Sequence, residues 1–143
     1  MGPKKRLMRK FLIATHGKFA SGIKSSLDMI IGAQDNIFVL DAYTENNSPI
    51  QDHLDDILKE IEIGDELVVF TDIMGGSITN QIIQRINSSN AHIVSGVNLP
   101  LLIEVILSDP NEDLQKVLDD AIENAKTQIV YVSKLITKQT QND

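Results

Sequence analysis

The sequence alternates short apolar runs with longer segments in which apolar residues recur at helical spacing. Strands are predicted at residues 10–15, 36–41, 66–71, 92–97 and 128–133, the first of them buried and the third the clearest core strand. Strands that alternate with helices indicate right-handed crossovers and a mainly parallel sheet covered by helices on both faces. The sequence therefore predicts a doubly wound α/β domain. The final strand could be parallel or an antiparallel edge strand, because periodicity does not decide between them.

Two helix starts can be predicted from local signals. Ser48 is expected to be an N-cap, with Pro49 in the first turn of the helix that follows the second strand. After the fourth strand, an apolar helix is predicted at residues 101–107. The last helix is expected to begin at Asp109 and Pro110.

Length and composition set the class of protein. A chain of 143 residues can bury one core, so we expect one domain at residues 10–136, a basic tail at 1–9 and a polar tail at 137–143. The 42% hydrophobic content excludes wholesale disorder. The absence of Cys excludes disulfides, thiolate metal sites and a cysteine nucleophile, and it fits a reducing cytoplasm.

Charge argues against several binding functions. Acidic residues outnumber Lys and Arg by 20 to 13, and five of those basic residues lie in the first ten positions. Because so acidic a body repels a nucleic-acid backbone, we expect no nucleic-acid partner. No clustered metal-ligand spacing and no nucleotide-binding glycine loop is present, and His53 and His92 are interpreted as structural.

The residues that leave the strands carry the candidate chemistry. In a parallel α/β sheet, ligands bind beyond the carboxyl ends of the strands. His16 follows the first strand, Asp72 the third, and Gly96 and Asn98 the fourth. If the first and third strands are neighbours, their ends lie about 5 Å apart. Asp72 would then reach the His16 ring.

This pairing suits a nucleophilic imidazole. A carboxylate that accepts a hydrogen bond from one ring nitrogen fixes the tautomer and leaves the other lone pair free. Gly75, Gly76 and Ser77 open a helix and offer backbone N–H groups to an anion. Together these features favour phosphoryl transfer to His16. The structural alternatives are Asp72 as a helix cap and Ser77 as a plain N-cap.

Three motifs resemble the mannose-type IIA component of the sugar phosphotransferase system, and the resemblance covers about residues 11 to 135. The motifs are Thr15-His16-Gly17, the segment from Asp72 to Asn80, and the segment from Gly96 to Pro100. The resemblance implies that His16 accepts a phosphoryl group from phospho-HPr and passes it to a IIB component. It also implies that Asp72 hydrogen-bonds the imidazole, which places the phosphoryl group on Nε2, and that Gly75, Gly76 and Ser77 contact the phosphate.

The same resemblance implies several further properties. Members of the family are homodimers that exchange a C-terminal edge strand, a part that residues 128–133 would play here. We expect no metal or organic cofactor, a IIB component on a separate polypeptide, and an indirect link to a membrane IIC/IID permease. Two positions depart from the family pattern: Met74 replaces a common large aromatic, and Ile78 replaces a common Pro. The transported sugar stays open.

Three other functions remain alternatives at this point. A receiver-like domain would carry the phosphate on Asp72 itself, although it would be expected to have an acidic pair where Thr15 and His16 stand. A phosphotransfer subunit of a dihydroxyacetone kinase would share the histidine-bearing module. A non-catalytic anion-binding module would not need His16.

Overall fold

The computed structural model describes residues 8–44, 49–86 and 91–142. It contains two compact units, residues 1–99 and residues 100–143. Ser48, the predicted N-cap, lies outside the described residues. None of the helices in the described ranges is long and apolar enough to span a membrane.

The first unit is built on a four-stranded parallel sheet. Its strands are β1 (Arg9–His16), β2 (Ile37–Ala42), β3 (Glu66–Thr71) and β4 (Ala91–Ser95). All neighbouring pairs are parallel, and the order across the sheet is β2-β1-β3-β4. The predicted α/β fold is confirmed, and these strands match the first four predicted ones to within two residues at each end.

Helices cover both faces of this sheet. They are α1 (Phe19–Ile31), α2 (Ile50–Leu58) and α3 (Ser77–Arg85). On one face, α2 and α3 pack on the strands through a buried cluster. Its members are Leu12, Ala14, Leu40, Ala42, Ile50, Leu54, Leu67, Val69, Ile78 and Ile82. On the other face, the backbone N–H of Ala20 in α1 donates to Thr15 Oγ1 at 2.7 Å.

Burial on both faces explains why β1 and β3 are continuous apolar runs rather than alternating ones. Leu12 faces α2 and α3, while its neighbour Phe11 points to the opposite face and stacks on Phe70, with ring centroids 6.4 Å apart. All three side chains are buried. The sequence signal of these two strands is therefore a direct consequence of their central place in the sheet.

A buried carboxylate ties the amino end of β1 to the turn before β3. Asp65 accepts hydrogen bonds from the backbone N–H of Met8 at 3.1 Å and of Glu62 at 2.9 Å, and Lys10 Nζ lies 2.7 Å from its Oδ2. Burial alone would raise the pKa of Asp65, but Lys10 and the two N–H groups outweigh it and hold the pKa below its ordinary value. Asp65 is therefore ionised near neutral pH.

The second unit is helical. It contains α5 (Leu114–Lys126), α6 (Val132–Asn142) and all but the first residue of α4 (Leu99–Ile106). Asn124 Nδ2 donates to Glu104 Oε1 at 2.6 Å and so links α5 to α4.

The predicted helix start at Asp109 and Pro110 was wrong. Asp109 forms a turn by accepting from the N–H of Asn111 at 2.9 Å, and α5 begins later, where Asp113 caps it by accepting from the N–H of Lys116 at 3.1 Å. The sequence contains two acidic residues able to start a helix here, and the one adjacent to the apolar stripe of α5 is the cap that forms.

The predicted strand at residues 128–133 was also wrong. Residues 128–131 lie outside regular structure, and α6 begins at Val132. A strand needs a partner edge for its N–H and C=O groups, whereas a helix satisfies them within its own segment. Val132, Leu135 and Ile136 have the spacing of one helical face, and this period prevails in the chain as described.

Candidate functional site

The candidate site lies where the chain reverses its direction across the sheet. β1 and β3 are adjacent, and from β1 the chain first runs outward to β2 and then returns to β3. Loops at such a switch point diverge and leave a crevice beyond the strand ends. His16 is the last residue of β1, and Asp72 directly follows β3. The topology thus brings together two residues that are 56 positions apart.

Asp72 holds His16 by two hydrogen bonds to the same carboxylate oxygen. Its Oδ2 accepts the backbone N–H of His16 at 3.0 Å and lies 2.9 Å from Nδ1 of the ring. An ionised carboxylate can only accept hydrogen bonds, so Nδ1 is the donor, and in the neutral ring Nε2 carries the lone pair. The His16 side chain is 43% exposed and that of Asp72 is 15% exposed. The predicted pair is therefore formed, with its imidazole open to solvent.

The charge of Asp72 follows from its surroundings. Partial burial would raise the pKa of its carboxyl, but the hydrogen bonds from the backbone and ring of His16, together with its own backbone N–H, outweigh this effect. The pKa of Asp72 consequently lies below its ordinary value. An ionised Asp72 can stabilise positive charge on the neighbouring ring.

The glycine-rich loop lies against the edge of the imidazole. Gly75 has φ of +75°, a conformation that favours glycine, and Gly76 is the N-cap residue of α3. A Cβ built on Gly76 would lie 3.8 Å from Cε1 of His16. Since Cε1 is bonded to Nε2, the start of α3 lies close to the free ring nitrogen.

The N-terminus of α3 is available to an anion. Among the described residues, no side chain caps this helix, so its first N–H groups remain available. The N-terminus of α1 differs, because Thr15 accepts from the N–H of Ala20 and Asp41 accepts from that of Ser21 at 3.1 Å. Of these two helix starts after strands β1 and β3, α3 is the one suited to a phosphate.

These contacts decide between the alternatives left by the sequence. Asp72 does not cap α3; its Oδ1 accepts from the N–H of the adjacent Ile73 at 3.1 Å. Ser77 is not the N-cap but the first residue of α3, and its hydroxyl is exposed. Neither side chain is therefore committed to capping α3.

Tyr43 joins the site, and sequence reasoning missed it. Its hydroxyl is hydrogen-bonded to Ser77 Oγ at 2.5 Å, and its ring centroid lies 5.6 Å from that of His16 with the rings tilted by 35°. Tyr43 directly follows β2, the strand next to β1. The rule that directed attention to the ends of the first, third and fourth strands applies equally to β2 and would have found it.

The loop after β4 is hydrogen-bonded to the end of β3 and so supports the backbone next to Asp72. The N–H groups of Gly96 and Val97 both donate to the carbonyl of Thr71, at 2.9 and 3.0 Å, and Asn98 Nδ2 donates to the Gly96 carbonyl at 3.3 Å. This third motif therefore closes the end of β4 onto the end of β3, next to Asp72.

The two departures from the family pattern occupy different environments. Met74 is 89% exposed at the rim of the site, beside the exposed Ile73. Ile78 is buried in the core cluster together with Ile82. Ile78 therefore anchors the first turn of α3 by packing, where a Pro would act through backbone rigidity.

Among residues 8–44, 49–86 and 91–142, the other histidines and acidic residues do not form a second site of this kind. His53 is exposed on α2, and His92 is half-buried in β4. Within the described ranges, no group of three or more His, Cys, Asp or Glu residues could hold a metal ion.

Comparisons with known proteins agree with this geometry. The model of the EIIA-man family, described as the fructose IIA component of the phosphotransferase system (PTS), matches residues 10–122. The PTS fructose-specific EIIA component of Bacillus subtilis (strain 168) is 31% identical over 101 residues, which is 69% of each chain. The PTS mannose-specific EIIAB component of Escherichia coli (strain K12) is 28% identical over 108 residues, 71% of this chain and 33% of that protein.

Solved structures give the same result. A crystal structure from Klebsiella pneumoniae, assigned to the permease of a phosphoenolpyruvate-dependent sugar phosphotransferase system, superimposes with a TM-score of 0.83 at 33% identity. The match covers 91% of this chain and 95% of that one.

Proposed function

Since the chain belongs to the mannose-type IIA family of the sugar phosphotransferase system, we propose that it carries a phosphoryl group on Nε2 of His16. The observation that carries this proposal is the 2.9 Å hydrogen bond between Nδ1 of His16 and Oδ2 of Asp72. It commits one ring nitrogen to the carboxylate and leaves the other nitrogen of the partly exposed ring as the nucleophile.

The proposed donor is phospho-HPr, and the proposed receiver is a IIB component that serves a membrane IIC/IID permease at the cytoplasmic side. Membership in the family supports these partners. The exposed side chains of Ile73 and Met74 at the rim of the site give a partner protein apolar surface on which to dock.

The transfer step is a displacement between two imidazoles. The Nε2 lone pair of His16 attacks phosphorus, a new P–N bond forms, and the P–N bond to the donor ring breaks with its electron pair returning to the donor nitrogen. Positive charge therefore leaves the donor ring and develops on His16, which keeps its proton on Nδ1. The Asp72 carboxylate stabilises that charge.

The start of α3 would hold the phosphoryl oxygens. Backbone N–H groups after Gly76 and the positive end of the helix dipole favour the negative charge spread over those oxygens in the transition state. Because the bonds broken and formed are of the same kind, catalysis consists of positioning and charge stabilisation, and the proposal requires neither a metal nor an organic cofactor.

Intact-mass measurement tests this proposal. The protein is incubated with phosphoenolpyruvate, Enzyme I and HPr, as wild type, as His16→Ala and as His53→Ala. We expect one phosphoryl group on the wild type and on His53→Ala, and none on His16→Ala. His53 is an exposed histidine outside the site and serves as the matched control. An equal gain by His16→Ala would overturn the assignment.

The stability of the bound group separates the alternatives. A phosphohistidine is lost in acid and survives alkali, whereas an acyl phosphate on Asp72 is labile in alkali. Transfer onward to a dihydroxyacetone kinase, and not to a IIB component, would point to the related phosphotransfer subunit instead.

We further propose that the protein is a homodimer, as in the family. Apolar residues of the C-terminal segment are exposed in the single chain, among them Ile129, Val132 and Ile136. Val132 and Ile136 lie one turn apart on α6, and exposed apolar side chains at this spacing are typical of a face that another chain covers.

A further inference from the structure

Tyr43 connects the two functional parts of the site. Its hydroxyl is hydrogen-bonded to Ser77 Oγ at the start of α3, and its ring lies beside the imidazole of His16. The side chain is 60% exposed, so its own burial contributes little to the core. Its contacts are therefore directed at the site rather than at packing.

The backbone of Tyr43 is held in an uncommon conformation. Its φ is +59°, and within the described residues it is the one non-glycine residue with positive φ. A side chain with a Cβ adopts this region rarely, and such residues concentrate at functional sites. The preceding carbonyl, that of Ala42, accepts from the N–H of Gly17 at 2.8 Å, which fixes the end of β2 beside the end of β1.

We propose that Tyr43 is a positioning residue for phosphoryl transfer, which orients the Ser77 hydroxyl toward the phosphoryl group and restrains the His16 ring. This inference rests on the proposed function of His16. A phenol is a stronger hydrogen-bond donor than an aliphatic alcohol, so Tyr43 donates to Ser77 Oγ. The proton of Ser77 is then free to be donated to a phosphoryl oxygen, and the two hydroxyls form a chain whose members strengthen one another.

The ring of Tyr43 has a second effect. Asp72 holds one edge of the imidazole through Nδ1, and the centroid of the Tyr43 ring lies 5.6 Å from that of the imidazole, with the rings tilted by 35°. These two contacts together limit rotation of the His16 ring, so that Nε2 keeps one direction. When the phosphorylated ring carries positive charge, the neighbouring aromatic ring also stabilises it.

Removing the Tyr43 hydroxyl alone tests the proposed hydrogen-bond chain from Tyr43 through Ser77 to the phosphoryl group. The single-turnover rate constant for transfer from phospho-HPr is measured for wild type, Tyr43→Phe, Ser77→Ala and the double variant. We expect Tyr43→Phe to lower the rate constant at saturating phospho-HPr about three- to tenfold, as the loss of one hydrogen bond does. The half-saturating concentration of phospho-HPr should change little. Tyr131→Phe, a change to the other tyrosine of the chain, should leave the rate constant as in the wild type.

The double variant distinguishes positioning from a general structural effect. If Tyr43 acts through Ser77, then Tyr43→Phe has no further effect once Ser77 is Ala. Multiplicative loss in the double variant, or a Tyr43→Phe rate equal to wild type, would overturn the proposal. Failure of wild type to accept a phosphoryl group at all would instead overturn the proposed function.

The unphosphorylated protein provides an independent readout for the ring contact. Long-range ¹H–¹⁵N NMR of His16 reports which ring nitrogen carries the proton. We expect a single Nδ1–H form, held by Asp72, in wild type and in Tyr43→Phe. In Tyr43→Leu the imidazole can rotate away from Asp72, so we expect a mixture of tautomers or an averaged signal. An unchanged spectrum in Tyr43→Leu would show that the Tyr43 ring does not restrain the imidazole.

Discussion

One oxygen of Asp72 accepts two hydrogen bonds from His16, one from its backbone N–H at 3.0 Å and one from ring Nδ1 at 2.9 Å. The same atom therefore fixes the end of β1 and the tautomer of the side chain that projects from it. Replacing Asp72 by Asn would remove the charge and keep the size of the side chain, so the effect of the charge can be measured separately.

Asp72→Asn keeps the size of the side chain but removes its negative charge. We expect the rate constant for phosphoryl transfer to fall about 10- to 100-fold, since a charge-assisted hydrogen bond is lost as positive charge develops on His16. Single-turnover kinetics with phospho-HPr measure this change, and thermal unfolding checks that the fold is kept. Transfer as fast as in wild type would refute the proposed role of Asp72.

Gly75→Ala and Gly76→Ala should affect different properties: the first should lower the stability of the fold, and the second should slow phosphoryl transfer. Gly75 has φ of +75°, so an added Cβ is strained there even though nothing lies within 4 Å, and we expect a stability loss of about 1 kcal/mol. At Gly76 a Cβ meets His16 Cε1 at 3.8 Å, an ordinary contact, so the fold tolerates it.

The added methyl at Gly76 nevertheless occupies space beside the free ring nitrogen. Gly76→Ala should therefore slow phosphoryl transfer with little change in the unfolding temperature, while Gly75→Ala lowers that temperature. Denaturation by heat together with the single-turnover assay separates the two. A larger loss of stability for Gly76→Ala than for Gly75→Ala would contradict this account.

Asp65 should make the stability of the first unit depend on pH. Its pKa is lowered in the folded state, so its contribution is present above the pKa of the unfolded chain and is lost as the pH falls through the folded pKa. We expect Asp65→Asn to reduce the free energy of unfolding by about 1–3 kcal/mol near neutral pH, with a smaller difference in acid.

Urea unfolding at pH 7 and at pH 3 measures this effect. Asp120→Asn is the control, because Asp120 forms an exposed ion pair with Lys116 at 3.1 Å and should have little influence at either pH. If the difference in free energy of unfolding between wild type and Asp65→Asn were larger at pH 3 than at pH 7, the prediction would be contradicted.

Ile136→Lys tests the proposed dimer. We expect wild type to have the mass of a dimer by light scattering. The charged variant should dissociate at a higher protein concentration than wild type, because a cation on an apolar interface is costly to bury. A control substitution at the exposed Lys126 should leave the mass unchanged. Monomeric wild type at every concentration would exclude the dimer.

Much of the fold was predictable because the central strands are buried on both faces. Phe11 to Ala14 and Leu67 to Phe70 are continuous apolar runs, which occur in few other settings. The segment from Gln128 to Ser133 was mispredicted because six alternating residues fit a strand only if a partner edge is present. Its longer-range period, visible at Val132, Leu135 and Ile136, is helical.

The site was partly predictable because functional residues of a parallel α/β sheet lie at the carboxyl ends of its strands. His16, Asp72 and Ser77 are polar residues of the expected types at those positions, and parallel topology brings them together. Tyr43 also follows a strand, so the same rule could have found it, but an aromatic residue after a strand is common and does not by itself indicate chemistry. Its positive φ and its contact with His16 depend on how β2 and α3 pack, which local sequence does not specify.

The order of the strands has a consequence for how the protein opens. β1 and β3 lie in the interior of the sheet, whereas β2 is at an edge and pairs with β1 alone. Detachment of an edge strand requires less free energy than global unfolding. If β2 detaches in this way, His16 stays hydrogen-bonded to Asp72 while Tyr43, which directly follows β2, moves away from the imidazole. Hydrogen exchange at β2 faster than at β1 and β3 is the signature of that state.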